Sequence, residues 1–178
     1  AAITKKVGYP DKWKDYSALV IGKDSYCQNM MNAAKWRFND MVSKFGKPVD
    51  RTEWDMTPQT YNAYYNPSNN EIVLPAAIFI LPGIADSLAD DALVYAYAGG
   101  TTVGHEITHG FDDTGRQFDE RGNLESWWTP ADEKEFKRRS DRIVKQFDGY
   151  LVVDSLHVNG EATQGENIAD LGGIELGW

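Results

Sequence analysis

His105 and His109 stand four residues apart with Glu106 beside the first, in the run His105-Glu106-Ile107-Thr108-His109. On a helix, positions i and i+4 lie on one face, one turn apart, so two imidazoles at this spacing can converge on one metal ion. Neutral histidine nitrogen suits Zn2+ at about 2.0–2.1 Å. Glu106 falls beside that face, where it can reach a water on the metal as a base without filling a coordination place. The chain has three histidines, and two of them make this pattern. Short patterns also arise by chance, so the remaining ligands decide its meaning.

A catalytic zinc takes three protein ligands and keeps one position open. A metzincin would continue with glycine at 112 and histidine at 115; Asp112 and Gly115 stand there, which excludes that class. His157 lies in Ser155-Leu156-His157-Val158-Asn159-Gly160, a strand or loop, and reads as an exposed or partly packed histidine. An acid is the better third ligand, as in the His2Glu sites of thermolysin-like enzymes. Gly165-Glu166-Asn167-Ile168-Ala169-Asp170 offers one. On a helix Glu166 and Asp170 share a face. Glu166 can complete the coordination, and Asp170 can accept the outer N–H of a ligating imidazole, fixing its tautomer and raising its basicity. With 27 acidic residues in the chain, spacing alone does not single these two out.

These side chains need elements to hold them. The first clear helix runs from about Ser25 to Phe45, with Asp24 or Ser25 as cap, Gly46 as terminator and Pro48 forbidding continuation. Met30, Met31, Ala34, Phe38, Met41 and Phe45 recur along it at helical spacing, which predicts a core-facing stripe. Thr57-Pro58 predicts one helical turn. Tyr61 to Tyr65 reads as extended, Asn66 to Asn70 as a turn, and Glu71 to Leu74 as a second strand, together a short hairpin with an open edge. Leu88 to Asp112 is rich in Ala, Leu and Gly, and at least its second half reads as a buried helix; Gly99, Gly100 and Gly104 suggest close packing against a neighbour. Another helix opens at Thr129-Pro130-Ala131-Asp132 and runs to about Phe147, its Lys134–Arg142 face solvated. A last helix includes Gly165 to Gly172. The fold class is mainly α with a small β-hairpin or sheet.

The 178 residues fit one domain. A net charge of −9 argues against a nucleic-acid partner, which would call for a basic face. Cys27 is the single cysteine, so the chain alone forms no disulfide and no thiolate zinc cluster; a buried, inert thiol is its simplest reading. No apolar run reaches the 18 or so residues of a transmembrane helix, and the first residues lack a signal-peptide core.

Several further stretches stand in one order and spacing with the histidine motif: Gly8-Tyr9-Pro10-Asp11, Asn62-Ala63-Tyr64-Tyr65, Pro75-Ala76, Gly104 to Asp112, Gly115-Arg116, Trp127-Trp128 and Gly165 to Asp170. Through them nearly the whole chain resembles the neprilysin and endothelin-converting-enzyme family of zinc metallopeptidases, including its bacterial oligopeptidase members. The resemblance implies a thermolysin-like (gluzincin) core holding Zn2+ through His105, His109 and Glu166, with Glu106 as base and Asp170 holding His105. Asn62 and Ala63 match the family's edge-strand motif, which binds the substrate backbone; an extended peptide can add itself to an open strand edge. The implied activity is endopeptidase cleavage of short peptides through a zinc-bound water activated by Glu106.

The resemblance also has departures. Family members are much longer, with a large helical domain over the active site. Their transition-state histidine and substrate-carboxylate arginine lie beyond the Gly-Glu-Asn motif, and no residue up to Trp178 matches them. Residues 1–178 are thus expected to be a partial catalytic domain of a larger peptidase, with a helix at 24–46 on its N-terminal side and the zinc-site core at 61–178. Expected partners are peptide substrates and the remainder of the polypeptide, its helical domain and C-terminal segment. The alternative is a catalytically incomplete fragment that binds zinc and peptide. By resemblance the compartment leans to extracellular or periplasmic, with any membrane anchor upstream of Ala1.

Overall fold

The structure, a computed structural model, describes residues 2–178. The chain forms two compact units, one of Ala1–Tyr9 with Asp55–Trp178, the other of Pro10–Trp54.

The smaller unit is built on α1 (Tyr26–Ser43), whose Ser25 hydroxyl accepts the Gln28 N–H. Gly46 follows with φ of 75°, the terminator expected from sequence. The stripe along α1 does not behave as expected. None of the helix is buried, and Met31, Phe38 and Met41 each expose more than half their surface. Apolar periodicity reports which face can be covered, and among the described residues nothing covers this one. Cys27 is likewise exposed rather than buried.

In the larger unit three strands make a sheet in the order β1-β3-β2. The hairpin pairs β2 (Tyr64–Asn66) antiparallel with β3 (Glu71–Pro75). On the other side of β3 lies β1 (Thr4–Gly8), parallel, with Thr4 opposite Glu71. That strand is not foreseen in the sequence, because Thr4-Lys5-Lys6 carries little apolar signal and its partner is remote in sequence. Lys6 reaches back to the almost fully buried Glu71 at 2.7 Å, so the charge brought inside by β3 is matched. Central β3 is buried throughout, while β2 is left on the edge. Ala63, Ile72, Leu74 and Ile78 form the core beneath, and Val103 and Ile107 pack on it.

The stretch Leu88–Asp112, at least the second half of which was expected to be a buried helix, is helical in several short pieces. α2 (Asp91–Val94) is capped by Asp90, Tyr95–Gly104 winds as a π-helix, α3 (His105–Thr108) is α-helical, and a 3₁₀ turn ends at Phe111. α4 (Pro130–Asp148) opens with a reciprocal Thr129–Asp132 capping box, as its sequence predicts. A hairpin of β4 (Leu151–Val153) and β5 (Leu156–His157) follows, turning through Asp154 at φ of 51°. Finally α5 (Gly160–Gly177) runs back along the π-helical stretch and α3. Here glycine is required by proximity: a Cβ on Gly173 would lie 2.5 Å from the Gly100 carbonyl oxygen, and one on Gly104 would lie 2.9 Å from Gly173 Cα. The two backbones touch, and that contact sets how far α5 sits from α3. The molecule is mainly helical with small sheets, the class expected.

From the 3₁₀ turn after α3 an aromatic series leads to α4. Phe111, Trp127, Trp128 and Phe136 meet edge-on in sequence, with centroids 5.6–6.5 Å apart. The Arg116 guanidinium lies 4.8 Å from the Phe136 ring centre and 5.8 Å from that of Trp128. Such contacts add to burial and fix α4 against the loop after α3.

Candidate metal centre

α3 and the 3₁₀ turn that continues it present His105 and His109 on one face, and α5 brings Glu166 and Asp170 opposite. His105 Nε2 and His109 Nε2 are 3.0 Å apart. Glu166 Oε2 is 3.3 Å from the first and 3.7 Å from the second. Ligand atoms of these three residues all fall within 4.8 Å of one another. Three zinc ligands at about 2.0–2.1 Å in tetrahedral directions would stand about 3.3 Å apart, close to the spacing seen.

The donor set fits a cation on a second ground. His105 Nδ1 lies 2.8 Å from Asp170 Oδ1, and His109 Nδ1 lies 2.8 Å from Asp112 Oδ2. A carboxylate only accepts, so each Nδ1 carries the proton, and in the neutral form of each ring the bare Nε2 lone pair turns inward. Two nitrogen lone pairs and a carboxylate oxygen then face one another. Without positive charge between them that is repulsive; with a divalent ion it is a coordination sphere.

Asp112 was not singled out in the sequence as a functional residue, yet it holds the site as firmly as Asp170. It is buried, and its Oδ1 accepts the N–H groups of Thr114 at 2.8 Å and Gly115 at 2.6 Å. The available signal was its place three residues after His109, one helical turn on. Burial pushes the Asp112 carboxyl up, but the bonds from His109, Gly115 and Thr114 outweigh it and hold the group below its ordinary range. The Asp112 hydrogen bond in turn raises the His109 pKa, against the lowering effect of burial.

Glu106 is 7 % exposed, deeper than either histidine. Burial raises its pKa, opposed by the two neighbouring imidazoles and by a backbone hydrogen bond from Tyr65 of β2. A base of raised pKa takes a proton more readily near neutral pH than an ordinary carboxylate. Asn62 and Ala63 border the same open cleft of about 380 Å3, together with Glu106, His105, His109 and Glu166. The site residues expected from the sequence are thus brought to one place, while His157, read there as an exposed or partly packed histidine, is exposed and bonds the Asp148 carbonyl on the β4–β5 side.

A metal helix, a carboxylate pair on a second helix and an edge strand beside them are the parts of a metallopeptidase core, and the comparisons agree. Residues 62–178 match Peptidase family M13, and the chain belongs to that family. It is 41% identical over 184 residues to an endothelin-converting enzyme homolog of Locusta migratoria, covering 99% of this chain and 25% of that protein. Neprilysin-3 of Drosophila melanogaster is 37% identical over 99% of the chain and 23% of its own length. Among solved structures, the zinc metalloprotease Zmp1 of Mycobacterium tuberculosis in complex with inhibitor superposes with a TM-score of 0.91 at 46% identity, over 99% of this chain and 27% of that one. PepO from Lactobacillus rhamnosis gives 0.85 at 33% identity, over 99% and 28%. The chain spans about a quarter of the length of these relatives. Among the described residues no helix is long and apolar enough to cross a membrane.

Proposed function

We propose that this chain carries the zinc centre of an endopeptidase acting on short peptides, with His105, His109 and Glu166 as metal ligands and Glu106 as general base. The observation that carries the reading is the convergence of His105 Nε2, His109 Nε2 and Glu166 Oε2, with the Nδ1 atoms of the two imidazoles held by Asp170 and Asp112. Zinc held there would acidify a water and polarise the scissile carbonyl. Glu106, beside the ligand face, accepts the proton of the attacking water and later passes it to the leaving amine. Asp170 and Asp112 keep both imidazoles in the Nδ1–H tautomer, so the ligand atoms are ready without rearrangement. Asn62, whose side chain both donates and accepts, and the main chain at Ala63 hold the peptide extended along β2, and positioning supplies part of the rate.

The test is zinc content and peptide cleavage of the wild-type chain beside Glu106→Gln. The variant is expected to keep one zinc and to lose turnover by at least about 10²-fold, the lower end of what positioned acid–base catalysis contributes. Near-normal cleavage by Glu106→Gln would overturn the assignment of the base. The competing reading, zinc and peptide binding without turnover, is selected if the zinc-loaded wild type binds peptides and cleaves none.

A further inference from the structure

β2 is three residues long and paired on one side only. So short an edge strand has few ladder bonds to hold it, and it would fray if the sheet were its only support. Side chains tie it down instead. Three residues before it the Tyr61 hydroxyl donates to the Ile80 carbonyl at 2.9 Å and meets the Tyr97 hydroxyl. Within the strand, the Tyr65 hydroxyl donates to Asn70 Oδ1 at 2.9 Å. Asn70 Nδ2 donates onward to the Glu120 carbonyl at 2.8 Å, in the loop that follows the metal helix. Asn70 is buried and stands at φ of 47°, a left-handed turn position that asparagine tolerates better than most residues. The Tyr65 ring also lies against the metal helix: a Cβ on Gly110, next to His109, would be 3.2 Å from its hydroxyl.

We infer that Asn70 is a positioning residue for substrate: through Tyr65 and Glu120 its carboxamide fixes the distance between the β2 edge and the metal helix, and so sets how tightly a peptide lies along that edge while its carbonyl meets the metal. The inference rests on the proposed function, since it presumes that peptide docks on β2. Both hydrogen bonds run through one buried side chain that bonds none of the ligand atoms and meets the edge strand at the Tyr65 hydroxyl. Cutting either should therefore loosen the strand against the helix and leave the ligands in place. The relay is a series connection, so cutting both should cost little more than cutting one.

The experiment compares two inhibitors on the zinc-loaded full chain. Acetohydroxamate binds through the metal alone; a peptidyl hydroxamate with three residues on the amino side of its metal-binding group adds contacts along the strand. Variants are Tyr65→Phe, which removes one bond without loss of packing, and Asn70→Gly, which keeps the left-handed backbone accessible. Each is expected to weaken the peptidyl hydroxamate about 3- to 10-fold, the span of one net hydrogen bond. Acetohydroxamate affinity and zinc content should stay within about twofold, and the double variant should match the singles. Unchanged peptidyl hydroxamate affinity in both variants, or an equal fall for both inhibitors, would overturn the inference. If the wild type gains nothing from the peptide portion, the docking of peptide on β2 fails instead, a result separable from failure of the relay.

Discussion

Replacing Gly173 by alanine tests how the metal site is assembled, because Gly173 is where α5 touches the segment that carries the histidines. Its new Cβ would sit 2.5 Å from the Gly100 carbonyl oxygen and 3.0 Å from the His105 backbone nitrogen, where ordinary contact begins at 3.4 Å. Both neighbours are backbone and cannot rotate away, so α5 must move by roughly 0.9 Å, the shortfall at the carbonyl. Glu166 and Asp170 ride on that helix. Metal–ligand distances tolerate only about ±0.2 Å, so a shift of that size opens the Glu166 side of the sphere and lengthens the Asp170–His105 bond. Zinc affinity should fall about 10- to 100-fold, the range typical when a supporting partner of a metal ligand is lost. Overpacking should also cost about 1–3 kcal/mol of stability, seen as a melting temperature lower by about 2–4 °C per kcal/mol for a chain of this size. Gly99→Ala is the control. Its Cβ would meet only Tyr95 Cδ1 at 4.0 Å, so it should leave zinc affinity unchanged and raise stability by up to about 1 kcal/mol. The assay is zinc competition against a chromophoric chelator alongside thermal melts of both variants. Wild-type zinc affinity in Gly173→Ala, or an equal loss in Gly99→Ala, would refute the reasoning.

Four other expectations rest on the geometry. Asp112→Asn should lower zinc affinity about 10- to 100-fold, measured by the same competition, because the His109 Nδ1–H loses its charged acceptor. The folded Asp112 pKa is lowered, so its stabilising effect is present above the unfolded value of about 3.9 and is lost as pH falls through the folded one; in metal-free protein, acid titration by circular dichroism should show wild type losing stability below about pH 4 more steeply than Asp112→Asn. In metal-free protein the Asp112 hydrogen bond raises the His109 pKa, so protons compete with metal more strongly than at an ordinary histidine; zinc affinity should fall as pH is lowered, and fall less steeply in Asp112→Asn, read by metal-sensitive dye. Thr129→Ala, which removes the capping box of α4, should cost about 1 kcal/mol in chemical denaturation and leave zinc affinity alone.

Much of this was legible in the residues. Thr129, Pro130 and Asp132 announced α4 because helix caps are local chemistry, and Gly46 announced the end of α1 for the same reason. The histidine spacing was likewise readable, since i, i+4 geometry needs no knowledge of the rest of the fold, whereas Glu166 and Asp170 were singled out from 27 acidic residues by the family resemblance. What stayed hidden depends on distant partners. β1 joins β3 across more than sixty residues, and nothing in Thr4–Gly8 says so. The π-helical winding of Tyr95–Gly104 comes with backbone contact to α5, which glycine content hinted at without specifying. The apolar stripe of α1 was correctly periodic, but periodicity names the face and not its cover. Asp112 escaped notice because one carboxylate among many acquires meaning only when an imidazole is seen to lean on it.

The most direct measurement is a crystal structure of the chain grown with zinc, with anomalous data collected at the zinc edge. The account predicts one ion bonded to Nε2 of His105, Nε2 of His109 and a carboxylate oxygen of Glu166, each at about 2.0–2.2 Å, with Asp170 and Asp112 still on the two Nδ1 atoms. Zinc bound elsewhere, or bound at the histidines with Asp170 or Asp112 taking the place of Glu166, would contradict it.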